Sequence, residues 1–469
     1  MKQFYPHFKV YLISFAVIIF FVSLFLVYKK EKSSPAVAGS YDLKEIRKRG
    51  KIIAVLDRNS IDYYAYKGRP MGFQLDLLRR FSEYLKLPLE IIVEDNYAKS
   101  LKMLGTAQCD IIATNFTILK EQKKHFAFSD PIIQTRQVLV QRKRSKNGPS
   151  YIETALDLAK KTVYVKTGSA FHNRLISLSE EIGDTIYVKD SVRYTSEMLI
   201  KLVSEGVIDF TVANENLARV NALYYSNIDY SVPLSLEQNT AWVIRKNAPN
   251  LEYIINNWLK KIKKESFFSA IYHKYFESEM QSFNFKSEFS SFNGNKISAF
   301  DATIKKYSGL IGWDWRLLAS LIYQESKFRV DTVSLRGAFG LMQLMPITAQ
   351  GFNVDSSSSP EENIKAGIMY IKWLDNQFID RVEQQEERIK FILAAYNIGL
   401  GHIFDAQALA KEHGRNNQKW DNNVDFYLLN NSKNLDSLVR NGSVKGRETY
   451  AMVRKVMERY HHYKNLIAE

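Results

Sequence analysis

The chain has 469 residues, more than one ordinary domain needs, so two or more domains are expected. Hydrophobic residues make up 46% and charged residues 25%, a globular composition with ample material for cores. The formal net charge of +15 suits either a polyanionic partner or a lysine-rich solvated surface. No RNP-type, zinc-finger or basic-region pattern accompanies it, which argues against nucleic acid. Cys109 is the only cysteine, so an intramolecular disulfide and a cysteine metal site are excluded. It heads an apolar run and reads as a buried packing residue.

In chain order, 1–9 is a short basic segment, and Val10 to Tyr28 is an apolar, aromatic run without a charge. The run at 10–28 is long enough to cross a bilayer as a helix. Lysines flank it on both sides, so the positive-inside rule does not orient it. A signal cut after Ala36-Val37-Ala38 is the alternative, but the lysine-rich gap before it favours an uncleaved anchor. A polar linker, 29–41, follows. From 42 to 278 strands alternate with helices. Lys51 to Leu56, Leu89 to Glu94 and Ile111 to Ala113 read as strands, with a helix at Gln74 to Leu85 and a helical turn at Ser100 to Leu104. Further strands are expected at Gln137 to Val140, Thr162 to Val165, Thr185 to Val188, Phe210 to Ala213 and Thr240 to Ile244, then a helix at Leu251 to Ile262. That alternation predicts an α/β fold with largely parallel sheets.

A Ser-, Asn- and Phe-rich linker at 279–297 leads to an all-α domain at 298–469. Helices are expected at Trp315 to Glu325, Pro360 to Phe378, Glu386 to Asn397 and Glu448 to Tyr460. Trp315, Leu318, Ile322 and Glu325 share one helix face. The carboxyl thus ends an apolar stripe near a helix C-terminus, and desolvation and the helix dipole both raise its pKa. A raised pKa is what a general acid needs. Gly337 and Gly340 allow tight turns and close backbone approach. Met342 offers a soft apolar surface and Gln343 an amide that donates and accepts. Ile389, Leu393 and Tyr396 form another stripe, with Asn397 at the helix end and Gly399 as its cap.

Three blocks carry a specific resemblance: Glu325-Ser326-Lys327-Phe328, then Ser334 to Pro346, then Ala394-Ala395-Tyr396-Asn397-Ile398-Gly399. Together they resemble the goose-lysozyme-like domain of the SLT-type lytic transglycosylases. The resemblance implies that Glu325 is the single acid/base and that Ser334, Met342, Gln343, Tyr396 and Asn397 line a sugar cleft. It further implies cleavage of peptidoglycan between N-acetylmuramic acid and N-acetylglucosamine, closing a 1,6-anhydro ring with help from the muramyl N-acetyl group. In one place the chain departs from the pattern. Met452 stands where the family commonly has a Tyr in a Glu-x-x-x-Tyr-Val segment. Tyr450 is the candidate stand-in, although two positions along a helix point about 200° apart. Hydrogen-bond support for Glu325 is therefore expected from Ser334, Gln343 or Tyr396.

The upstream region is similar to the family 3 periplasmic solute-binding proteins, through Gly72 to Leu78, Asp110 to Ala113, Phe128 to Pro131 and Gly206 to Asp209. This implies a two-lobed fold with crossings near 142–150 and 230–238. It also implies a ligand cleft containing Thr117, Gln122 and Asn214. Gln122 and Asn214 replace the Arg and Asp that anchor amino acids in the family, and an amide replaces a bidentate Arg poorly. The expected ligand therefore lacks a free α-amino acid head, as an amidated or larger muropeptide does; the alternative is a cleft serving only as a spacer. Fusion of the two domains resembles a family of membrane-bound cell-wall lyases. It places the chain in the cell envelope with its helical domain in the periplasm, at the inner membrane if the anchor stays uncleaved, or peripherally at the outer one. The rival reading is a non-catalytic glycan- or muropeptide-binding sensory protein. No cofactor and no metal are expected. The histidines lack ligand spacing, and His461-His462 is placed in a fraying polar tail.

Overall fold

The computed structural model describes residues 41–114, 122–145, 151–278, 287–291, 295–430, 439–442 and 446–467. The expected membrane segment at 10–28 and Thr117 lie outside them. No helix among the described residues is long and apolar enough to cross a membrane. The chain divides into two compact units. One runs to Asp57 and resumes at Phe73–Glu277; the other joins Arg58–Gly72 to Ser278–Glu469.

The first unit has two five-stranded sheets. One has the order Leu89–Val93, Ile52–Leu56, Ile111–Ile112, Val243–Arg245, Phe126–Phe128. The other has the order Tyr187–Ser191, Thr162–Lys166, Thr211–Asn214, Gln137–Arg142, Ile228–Asp229. Each sheet is mixed and not largely parallel: Ile52–Leu56 pairs parallel on both sides, while Val243–Arg245 and Gln137–Arg142 run antiparallel to their neighbours. The first sheet is completed by Val243–Arg245, which re-enters it after the chain has passed through the whole second sheet. The antiparallel strands are thus the one that enters the second sheet, Gln137–Arg142, and the one that returns to the first, Val243–Arg245.

The second crossing falls where expected, but the first does not. Gln137–Arg142 already belongs to the second sheet, so the chain has crossed before it. It does so beside Ile133–Thr135, which pairs antiparallel with Gln238–Thr240 on the way back. The strand expected at 240–244 is two strands, one in this ribbon and one in the first sheet. A fully buried Asp110 anchors the first lobe. It accepts from Ile53 N at 2.9 Å and pairs with Arg49 and with Arg245, the latter at 3.1 Å. Cys109 is fully buried beside it, and burial pushes its thiol up to about 12, in keeping with a packing role.

Among the described residues the second unit is helical apart from a hairpin, Tyr64–Tyr66 with Arg69–Met71, and isolated bridges such as Val333 with Phe339. The hairpin lies inside the range that the sequence gives to the first domain. It is held by the last helix, Gly446–Leu466: Tyr463 donates to Gly68 O at 2.6 Å, and the Tyr63 hydroxyl meets His462 Nδ1 at 2.7 Å. His462 is 5% exposed, so the expected frayed tail is a packed helix end. The helix Pro360–Phe378 starts as its residues dictate, with Pro360 in the first turn and a capping box between Ser359 and Glu362. Asp314 caps Trp315–Ser326 through Arg316 N at 2.9 Å.

Candidate active site

Glu325 lies in the last turn of Trp315–Ser326. The stripe beneath it, Trp315, Leu318 and Ile322, is buried. The helix then stops abruptly because Lys327 and Phe328 both adopt left-handed backbone, at φ 55° and 62°. Two such residues in succession cost about 1–2 kcal/mol each and persist because the surroundings fix them. Tyr323 packs edge-on to Phe328 at 5.8 Å, and the Arg459 guanidinium caps Tyr323 at 4.4 Å. Ser320 donates to Val456 O at 2.7 Å, tying this helix to Gly446–Leu466. A Cβ on Gly68 would come within 3.0 Å of Tyr463, Phe328 and Tyr323, so the hairpin turn closes onto the same cluster.

The Glu325 carboxyl is pushed up to about 7, and burial alone is the cause. Among the described residues no carboxylate contributes to the shift. The expected hydrogen-bond support for Glu325 is not seen among them either, and Tyr396 and Gln343 send their protons elsewhere. Tyr396 donates to Met342 O at 2.6 Å. Gln343 Nε2 donates to Thr332 O and Gly340 O at 2.8 and 2.9 Å. Ser334 Oγ accepts from Ala338 N at 3.0 Å. The Tyr396 hydroxyl and the Gln343 amide protons are thus used to hold the shape of the Gly-rich loop. Tyr396 is nevertheless close enough to Glu325 for the carboxylate to raise its hydroxyl pKa, burial being the larger cause.

Met342 differs from expectation too. It is fully buried and packs into the space that Gly367 leaves, where a Cβ would sit 2.6 Å from Met342 Cε. Its backbone, not its thioether, faces the network: N donates to Asn363 Oδ1 at 2.8 Å and O accepts from Tyr396. Gly340, at φ 75°, lies so close to Asn363 that a Cβ would approach Nδ2 to 2.4 Å. Asn397 is exposed and accepts from Thr449 Oγ1 at 2.7 Å, and Gly399 caps its helix. Met452 is 6% exposed, while Tyr450 is half-buried two residues earlier on the same helix. Sequence reasoning missed Asn363, Thr449 and Tyr370; an Asn buried in the first turn of a long helix was the available signal for the first.

In the first unit, Gln122 opens a short 3-10 turn, and its amide oxygen is buried with no hydrogen-bond partner among the described residues. Asn214 ends the strand Thr211–Asn214 and begins the helix Glu215–Ala222. Two further charged pairs went unread. Asp57 and Lys166 come within 3.9 Å at the carboxyl ends of parallel strands from the two sheets, where open α/β sheets bind ligands. Arg136 grips Glu215 through two bonds of 2.9 and 2.8 Å.

Residues 52–278 match the family of bacterial extracellular solute-binding proteins, family 3, and residues 302–419 match the transglycosylase SLT domain. The second range holds Glu325 and the loop and helix described above but ends before Gly446–Leu466. A membrane-bound lytic murein transglycosylase F of Desulfosudis oleivorans is 32% identical over 420 residues, covering 89% of this chain and 91% of its own. One from Pseudomonas fluorescens is 28% identical over 423 residues, covering 89% and 85%. Among solved structures, a mutant of ArgBP from T. maritima aligns with 50% of this chain and 99% of its own, at 26% identity and a TM-score of 0.44.

Proposed function

The chain belongs to the membrane-bound lytic murein transglycosylase F family, and from that premise we propose that Glu325 alone serves as acid and base in cutting peptidoglycan glycan strands. The observation that carries this reading is the Glu325 carboxyl at the end of a buried apolar stripe, its pKa raised by burial to about 7. Protonated, Glu325 gives its proton to the oxygen joining N-acetylmuramic acid to N-acetylglucosamine as the bond from that oxygen to the anomeric carbon breaks. The N-acetyl group of the muramyl sugar supports the electron-poor carbon. The sugar's own 6-hydroxyl then bonds to it and returns a proton to the Glu325 carboxylate. Atoms balance without water, and the enzyme ends as it began. Two-carboxylate glycosidases divide these duties between two side chains; here the second nucleophile comes from the substrate.

Tyr396, the Gly-rich loop and Asn363 support the reading by fixing the wall around the acid. Ser334, Gln343, Asn397 and Tyr450 are the proposed sugar-binding groups, together with the backbone at Met342. The first unit is proposed to sense a cell-wall peptide lacking a free α-amino acid head, since amides stand at Gln122 and Asn214. Residues 10–28 are proposed as the anchor that keeps both units in the periplasm.

The test is Glu325→Gln on purified sacculi, with release of 1,6-anhydromuropeptides followed by mass spectrometry. Release is expected to vanish, and retained release removes Glu325 from its role. Calorimetric titration with free amino acids and with muropeptides tests the sensing unit. Heat from ordinary amino acids contradicts the proposed ligand class.

A further inference from the structure

The helix Pro360–Phe378 carries an aromatic path that leads from the acid to open solvent. It begins at Tyr396, the ring that feels the Glu325 charge. Tyr370 lies next, 5.4 Å from Tyr396 between centroids. Trp373 stacks on Tyr370 at 5.8 Å with the planes 14° apart. Phe352 flanks Tyr370 from the side at 6.4 Å. The exposure changes along the path: Tyr396 and Tyr370 are half-buried, whereas Trp373 is 45% exposed. Tyr370 lies against one side of the indole, and nearly half of the Trp373 surface stays open to solvent. Met369, one turn before Trp373 and 36% exposed, widens the same apolar strip.

A tryptophan half in water is unfavourable unless its open face is used, because aromatic rings bury large areas when they can. Pyranose rings offer the matching surface. Their axial C–H groups form an apolar, weakly positive face that suits the negative face of an indole. The strip is continuous with the acid, and the two centroid steps keep Trp373 within about a disaccharide's length of Tyr396. A glycan strand that passes Tyr396 can therefore span the distance to Trp373.

We propose that Trp373 is a sugar-stacking subsite that holds a glycan residue beyond those at the scissile bond, so that the enzyme favours long strands over short fragments. This rests on the transglycosylase reading above. A subsite of this kind lowers KM for long strands and leaves the chemical step alone, since it touches no reacting atom.

The experiment compares full-length wild type, Trp373→Ala, Trp373→Phe and Ile379→Ala on uncrosslinked glycan strands and on a tetrasaccharide fragment. Ile379, 52% exposed at the end of the same helix, is the control for helix stability. For Trp373→Ala, KM on long strands should rise about tenfold, equivalent to about 1.4 kcal/mol, with kcat within about twofold. The preference for long over short substrate should fall by the same factor. Trp373→Phe should restore most of it and Ile379→Ala should not change it. In parallel, the hexamer of β-1,4 N-acetylglucosamine is titrated into Glu325→Gln with and without Trp373→Ala, where the second substitution should weaken binding about tenfold. An unchanged preference or an unchanged hexamer affinity overturns the subsite and leaves Trp373 to a protein partner. Failure of wild type to cut either substrate removes the transglycosylase reading instead, and the hexamer titration still decides the subsite.

Discussion

Glu325→Gln should stabilise the protein, and mainly at alkaline pH. Burial raises this carboxyl from 4.5 to about 7. The folded state therefore holds the proton more tightly than the unfolded chain does. The sign follows directly: stability is full below about pH 4.5, falls as pH rises through the window from 4.5 to 7, and is lowest above it. At about 1.4 kcal/mol per pH unit, the loss levels off at about 3 kcal/mol. Glutamine keeps the shape and has no proton to lose, so the variant escapes the penalty. Any direct effect of the amide, such as an unmet hydrogen bond, is present at every pH and cancels between conditions. The assay is thermal unfolding of full-length wild type and variant at about pH 5 and about pH 8.5, with a differential stabilisation of about 2–3 kcal/mol expected between them. That difference corresponds to several degrees in the transition that the variant moves. An equal shift at both pH values would refute the claim that burial sets this acid's pKa.

Three other outcomes are expected. The pH profile of kcat/KM on sacculi should be level on the acid side and fall about tenfold per pH unit above about 7, as the acid form of Glu325 is lost; a fall centred near the ordinary carboxyl value contradicts this. Gly340→Ala should destabilise by about 2 kcal/mol or more and lower turnover, because φ is 75° and the new Cβ meets Asn363 Nδ2 at 2.4 Å; thermal unfolding reads the first effect and sacculus digestion the second. Arg245→Met should lose about 3 kcal/mol in urea unfolding, because it leaves the buried Asp110 with Arg49 as its remaining charged partner.

What could be read in the sequence depended on how locally each feature is determined. The helix Pro360–Phe378 was legible to its ends because Ser359, Pro360 and Glu362 write a start signal beside a periodic stripe. The ribbon of Ile133–Thr135 with Gln238–Thr240 was not, since three-residue strands about a hundred positions apart leave no local pattern. The hairpin at Tyr64–Met71 looked like part of the first domain for the same reason. What assigns it is Tyr463 reaching Gly68 O, a contact 395 residues away in sequence. His462 looked like tail because its partner, Tyr63, is 399 residues distant. At the site, the motif blocks name Glu325 and the loop and helix residues proposed to surround it. They could not show which lone pairs and protons the loop keeps for itself, and that placed the acid's support wrongly.

The missing support has a chemical logic. A donor held to a carboxylate stabilises the charged form and lowers its pKa. Tyr396 spends its proton on Met342 O, and Gln343 spends its amide on two loop carbonyls, so neither lowers the pKa of Glu325. Met452, at the position where the resemblance implies a tyrosine, carries no donor either. The result is an acid whose pKa is set by an apolar wall. Such a group gives up a proton near neutrality and is basic enough afterwards to take one from a sugar hydroxyl. On the proposed mechanism Glu325 both donates and accepts within one turnover, and that balance serves it better than a fixed partner favouring one of its two states.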